Sequence, residues 1–275
     1  MKRILTIQDI SCVGKCSLTV ALPIISAAGV ECAVLPTAVL SNHTAFPSFT
    51  FCDLTDELEG IRDKFKELSF DFNAIYTGYL GSKRQLDIVQ SYFEAFQSPD
   101  CLKVIDPVMA DHGKLYYGFT QEFADGMCDL CRTADVILPN LSEAAFMLHK
   151  PYLERYTEQD IKTLLLELSA LGPRYVALTG ISFDEDTIGV YAYDRQENEY
   201  HYYKNEKLPV SFHGTGDTYA SLFLGALMRE KSVFEALDIA VDFTLLSMKK
   251  TLSDPSHRTY GVNFEEILGD YAKAL

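Results

Sequence analysis

Two glycines and a carboxylate stand directly before an apolar run in His213-Gly214-Thr215-Gly216-Asp217-Thr218, which continues from Tyr219 to Leu227. Glycines let successive N–H groups turn toward one point, and a helix N-terminus adds the positive end of its dipole. Such a turn can hold an anion, a transferring phosphoryl group among them. Asp217 beside it is poorly suited to binding phosphate but well placed to take a proton from a hydroxyl attacking phosphorus. The same residues also suit a plain helix start, because the dipole alone favours an acid in the first turn. Two further acids stand in Asp106-Pro107-Val108-Met109-Ala110-Asp111, where Pro107 stops a short strand. In Pro139-Asn140-Leu141-Ser142-Glu143 either Asn140 or Ser142 can cap a helix. Glu143 can serve that helix's dipole or reach a metal-bound water, since Mg²⁺ in phosphoryl transfer keeps waters and takes few protein carboxylates.

The elements around these groups alternate. Arg3 to Gln8 reads as a strand, Ser17 to Ala28 as a helix stopped by Gly29, and Glu31 to Thr37 as a second strand. This opening βαβ unit requires a parallel sheet. Helices are predicted at Thr55 to Leu68, Ser82 to Phe96, Gln121 to Cys131 and Glu158 to Leu171, and strands at Ala74 to Tyr79, Leu102 to Ile105, Asp135 to Leu138 and Arg174 to Thr179. Thr187 to Tyr193 and Glu199 to Lys204 alternate as an antiparallel hairpin, and helices Thr218 to Met228, Phe234 to Lys250 and one from about Phe264 close the chain. Five or more βα alternations imply a three-layer α/β fold with a mostly parallel sheet. Ligands of such sheets collect at the carboxyl ends of strands, which makes Asp9 and Thr44 substrate-contact candidates, although ordinary loop capping explains them as well.

With 275 residues, 48% of them hydrophobic, and no low-complexity linker, the chain is expected to form one domain. A net charge of −15 argues against nucleic-acid binding and offers no polybasic handle for a membrane, so an anionic substrate must be attracted locally. The start has no secretory pattern, and Val20 to Pro36 is interrupted by Pro23, Gly29 and Glu31, so a cytoplasmic enzyme is expected. Seven scattered cysteines fit reduced, buried thiols, and Cys128 and Cys131 read as helical neighbours rather than a zinc site. His112, His201 and His213 read as solvated or turn histidines.

Several motifs occur together in one order: Ser41-Asn42-His43-Thr44, Gly78-Tyr79-Leu80-Gly81-Ser82, Asp106-Pro107-Val108-Met109, Pro139-Asn140-Leu141-Ser142-Glu143 and Gly214-Thr215-Gly216-Asp217. With them the chain resembles the ribokinase-like superfamily and, within it, the vitamin B6 kinases that act on pyridoxal, pyridoxine and pyridoxamine. The resemblance implies transfer of the γ-phosphoryl of ATP to the vitamer's hydroxymethyl group, with Asp217 as base and the backbone of Gly214, Thr215 and Gly216 as anion hole. It further implies Asp106 and Glu143 supporting ATP and Mg²⁺ through water, Thr179 and Lys204 contacting the nucleotide, and Asp9 and Thr44 contacting the vitamer. K⁺ dependence and a homodimer are also implied. Two positions depart from the pattern. Asp9 stands where many of these kinases have serine, which implies better use of pyridoxamine. Asp111 stands where a dual branch of pyridoxal/hydroxymethylpyrimidine kinases has a reactive cysteine, which argues against dual use. The rivals are a hydroxymethylpyrimidine kinase, a sugar or nucleoside kinase, and a non-catalytic nucleotide-binding regulator of the same fold.

Overall fold

Ile4, Leu5 and Ile7 are fully buried in strand β1 (Arg3–Ser11), as a strand covered on both faces requires. The computed structural model describes residues 1–275, which pack as two compact units, Met1–Asn73 with Leu208–Leu275, and Ala74–Lys207. In the first unit β1 leads through α1 (Leu18–Ala27) to β2 (Glu31–Leu40), and the two strands pair in parallel from Arg3 opposite Glu31 to Ser11 opposite Leu40. Their register slips between Gln8 and Ile10, so Asp9 sits on an irregularity of the kind that re-aims a side chain. A three-residue edge strand, β3 (Phe51–Asp53), runs antiparallel to the end of β2. It was not legible in the sequence, because so short a strand is made by its pairing rather than by its own residues. Helix α2 (Thr55–Glu67) buries only Thr55 and Leu58, in keeping with its charges.

The second unit supplies β4 (Ala74–Thr77), α3 (Lys83–Ala95) and β5 (Leu102–Ile105). A small hairpin of β6 (Ala110–Asp111) and β7 (Lys114–Leu115) follows the Asp-Pro-Val-Met turn, where only a loop was expected. Then come α4 (Gln121–Cys131), β8 (Val136–Ile137), α5 (Leu141–Met147), α6 (Glu158–Ala170) and β9 (Tyr175–Ile181). The hairpin of β10 (Thr187–Asp194) and β11 (Glu199–Glu206) closes the unit. Strands β4, β5, β8 and β9 are parallel neighbours in that order, and β10 joins β9 antiparallel. The mostly parallel sheet and the late antiparallel hairpin are therefore as expected.

The chain returns to the first unit with α7 (Thr215–Met228), α8 (Val233–Ser253), a 3-10 turn at Phe264–Ile267 and α9 (Leu268–Ala274). Helix α7 packs on α1 and α8, and most of its side chains are buried. It begins three residues earlier than the sequence suggested, which places the glycine motif inside the first helical turn.

All seven cysteines are free, and Cys101, Cys128 and Cys131 are buried as expected. Cys12 and Cys52 are exposed and Cys16 and Cys32 half-buried, which corrects the expectation for those four. No helix is long and apolar enough to cross a membrane.

Candidate active site

Gly214 starts α7 in the left-handed conformation, φ 74°, and a Cβ there would lie 1.9 Å from the carbonyl oxygen of Lys15. Only glycine fits. Nothing stands within 4 Å of the Cβ position at Gly216, so the first turn opens onto free space. The first N–H groups of a helix have no intrahelical acceptor, and those of Thr215, Gly216 and Asp217 belong to this turn. The Gly214 carbonyl takes both the N–H and the hydroxyl of Thr218, at 2.9 and 2.8 Å, and the Thr215 hydroxyl donates to Phe212. The loop before α1 is tied down as well. Lys15 Nζ reaches Glu265 at 2.8 Å and Asn263 at 3.2 Å, so Lys15 binds its own C-terminal segment.

Asp217 is half-buried, and burial pushes its carboxyl up to about 6 against a hydrogen bond from the Ser17 backbone that lowers it; the nearby Asp9 raises it further. Asp9, 6% exposed, accepts from the Ser17 hydroxyl at 2.6 Å and from the Ser11 hydroxyl at 3.4 Å. Its carboxyl is raised by burial, which outweighs those bonds. Cys16 lies in the same cluster, and burial, then the Asp217 and Asp9 charges, push its thiol up to about 12. A thiol held neutral in this way is no nucleophile.

Thr44 is exposed, and the residues before it hold the loop. The Asn42 amide donates to Ser48 at 2.9 Å and the Ser41 hydroxyl takes the Thr50 N–H at 2.9 Å. His43 is buried, takes the Ala45 N–H on Nδ1 at 3.1 Å and must therefore donate from Nε2 to the Tyr260 carbonyl at 3.2 Å. Burial lowers its pKa, so it is a neutral anchor. His213 and His112 are exposed, and His201 is half-buried.

In the second unit Glu143 is 3% exposed and completes a reciprocal cap of α5: Oε2 takes the Asn140 N–H at 2.8 Å while Asn140 Oδ1 takes the N–H groups of Ser142 and Glu143. Glu143 Oε1 also takes the Met109 N–H at 3.2 Å, which ties α5 to the Asp-Pro-Val-Met turn. Burial first, and then the neighbouring Asp106 carboxylate, push Glu143 well above the usual carboxylate range. Both the capping and the functional readings of Glu143 thus have a physical basis. No group of three or more His, Cys, Asp or Glu forms an all-protein metal cage. Two adjacent buried carboxylates fit instead a hydrated Mg²⁺ bound partly through phosphate, which would relieve their mutual repulsion. Thr179 lies near the end of β9, bridged to Asn140, with its N–H on the Pro139 carbonyl at 2.9 Å and Gly180 following at φ 72°. Lys204 on β11 is exposed and paired with Asp184 at 3.1 Å. The Thr187 hydroxyl and then Lys204 hold Asp184 down at about 2. Asp111 is exposed in the small hairpin, its carboxylate taking the His112 N–H at 2.8 Å.

The first unit thus gathers Asp9, Asp217 and the glycine turn, and the second gathers Asp106, Glu143 and Thr179. Sequence reasoning passed over Ser17. It stands at the start of the expected helix with nothing in its type to single it out, and only its backbone angle and its two carboxylate partners set it apart.

The phosphomethylpyrimidine kinase family model matches residues 24–260. The chain belongs to that family. Among curated relatives it is 28% identical over 236 residues to a pyridoxal kinase of Arabidopsis thaliana, covering 80% of this chain and 72% of that one. Among solved structures, a Bacteroides thetaiotaomicron protein assigned to the phosphomethylpyrimidine kinases and crystallised with pyridoxal is 43% identical, with a TM-score of 0.94 over 98% of this chain and 95% of its own. Pyridoxal kinase from Lactobacillus plantarum is 29% identical, with a TM-score of 0.92 over 100% of this chain and 98% of its own. The α/β architecture is the ribokinase-like one, and the resemblance to B6 kinases that the motifs carry is borne out by these relatives.

Proposed function

We propose that this chain is a pyridoxal kinase, transferring the γ-phosphoryl of ATP to the hydroxymethyl group of pyridoxal, pyridoxamine or pyridoxine. One observation carries the reading: Asp217 stands in the glycine-led first turn of α7, which opens onto free space, and shares a cluster with the buried acid Asp9, with burial raising its carboxyl to about 6. A base must be ionised at working pH yet willing to take a proton, and a value near 6 meets both needs. In this account Asp217 accepts the hydroxymethyl proton as the oxygen attacks phosphorus. The N–H groups of Gly214, Thr215 and Gly216 stabilise the charge on the passing phosphoryl, each such donor contributing on the order of 10²–10³ in rate. Asp9 and Thr44 contact the vitamer. Asp106, Glu143, Thr179 and Lys204 support the nucleotide, and Lys204 would leave Asp184 to do so. Asp106 and Glu143 would hold Mg²⁺ through water, and the ion would neutralise charge on the phosphates. The proposal extends to K⁺ dependence, to a cytoplasmic homodimer, and to residues 1–275 acting as one kinase domain.

Asp217→Ala should lower turnover by roughly 10²–10⁴ while leaving the fold intact. In the wild type Asp217 is protonated, and unable to accept, below about 6. A kcat/KM profile should therefore rise through that pH to a plateau, and a flat profile would count against Asp217 as base. The family match keeps hydroxymethylpyrimidine as the alternative substrate, and Asp111 in place of a cysteine makes dual use less favoured.

A further inference from the structure

Ser17 has φ 50° and ψ −134°, outside the left-handed helical well and in territory that glycine occupies far more freely than serine. It is the N-cap of α1, where a serine ordinarily gives its side-chain oxygen to the helix N–H groups, yet it makes no such bond. Its hydroxyl donates to Asp9 Oδ1 at 2.6 Å, and its backbone bonds the Asp217 carboxyl. One residue thus touches both acids of the cluster. Asp9 itself lies on the register slip of β1, is 6% exposed, and has hydroxyls rather than any basic side chain against it. A buried carboxylate satisfied only by neutral donors remains short of positive charge, and a cationic ligand would supply it. A strained backbone persists only where its surroundings hold it, and bonds to two carboxylates at the reacting end of the cluster do so here.

We propose that Ser17 is a positioning residue that fixes Asp9 as an acceptor for the vitamer, so that the aminomethyl vitamer, an ammonium at neutral pH, is taken in preference to the aldehyde. This rests on the reading of the chain as a B6 kinase. The test is a double-mutant cycle with kcat and KM measured for pyridoxamine and pyridoxal in wild type, Ser17→Gly, Asp9→Asn and the double variant. Glycine suits the backbone angle and keeps the N–H, so Ser17→Gly should fold, and thermal unfolding checks that it does. KM for pyridoxamine should rise about tenfold or more in Ser17→Gly, with kcat and the pyridoxal KM moving much less. The double variant should be no worse than Asp9→Asn, because Ser17 acts through Asp9. Additive effects, or equal rises for both vitamers, would overturn the assignment while leaving the kinase reading in place. Failure of the wild type to phosphorylate either vitamer would remove both.

Discussion

Asp217 is held at a cost to stability. Burial disfavours its ionised form, so the folded state keeps the proton up to about 6 while an unfolded chain releases it near 3.8. The carboxyl is raised, so ionising it opposes folding, and the penalty grows as pH rises between those values and stays in full above them. Asp217→Asn removes the charge and should raise Tm at pH 8 by roughly 2–4 °C, allowing for partial solvent screening, with the difference vanishing near pH 4. Turnover should be lost in the same variant. A Tm at pH 8 equal to or below that of the wild type would contradict a base whose carboxyl is raised in the folded state. At this scale much was legible in the sequence. Asp217, Asp106 and Glu143 could be singled out because acids beside a glycine turn, a proline stop and a helix cap suit phosphoryl chemistry, although the helix dipole alone also accounts for Asp217 and Glu143. Ser17 could not, since a serine at the start of an apolar helical run is ordinary, and its positive φ and its bonds to Asp9 and Asp217 arise only in the folded chain.

The start of α7 is the element that separates folding from chemistry. At Gly214 an alanine would need φ 74° and would collide with the Lys15 carbonyl, so Gly214→Ala should destabilise by at least about 2 kcal/mol in denaturant unfolding. At Gly216 the space is open, and alanine favours a helix by about 0.5–1 kcal/mol. Gly216→Ala should therefore fold as well as the wild type but, if the turn holds the phosphoryl as proposed, turn over far more slowly, its methyl occupying the space the turn opens onto. Equal activity in Gly216→Ala would argue that the turn never holds an anion. The βα alternation made nearly all the long elements readable, because apolar spacing switches cleanly between strands such as Ala74–Thr77 and helices such as Lys83–Ala95. Strands β3, β6 and β7 were not readable. Each has two or three residues and exists through its partner strand, with no period of its own to detect.

For the whole molecule, a net charge of −15 means that ATP cannot be gathered by the general field. In the proposed reading local donors, at the start of α7 and on Lys204, do it instead. The two compact units were not foreseen, because the chain leaves the first unit at Asn73 and re-enters it at Leu208 without any change of composition to mark either point. The proposed homodimer of 30.9 kDa chains should sediment at twice that mass, and a concentration-independent monomer would remove that part of the account. The most direct measurement is ADP release in a coupled assay with Mg²⁺, ATP and K⁺, offering pyridoxal, pyridoxamine, pyridoxine and hydroxymethylpyrimidine separately to the wild type and to Asp217→Ala. The account predicts turnover of the B6 vitamers that disappears in the variant. Turnover confined to hydroxymethylpyrimidine, or none with any of the four, would contradict it.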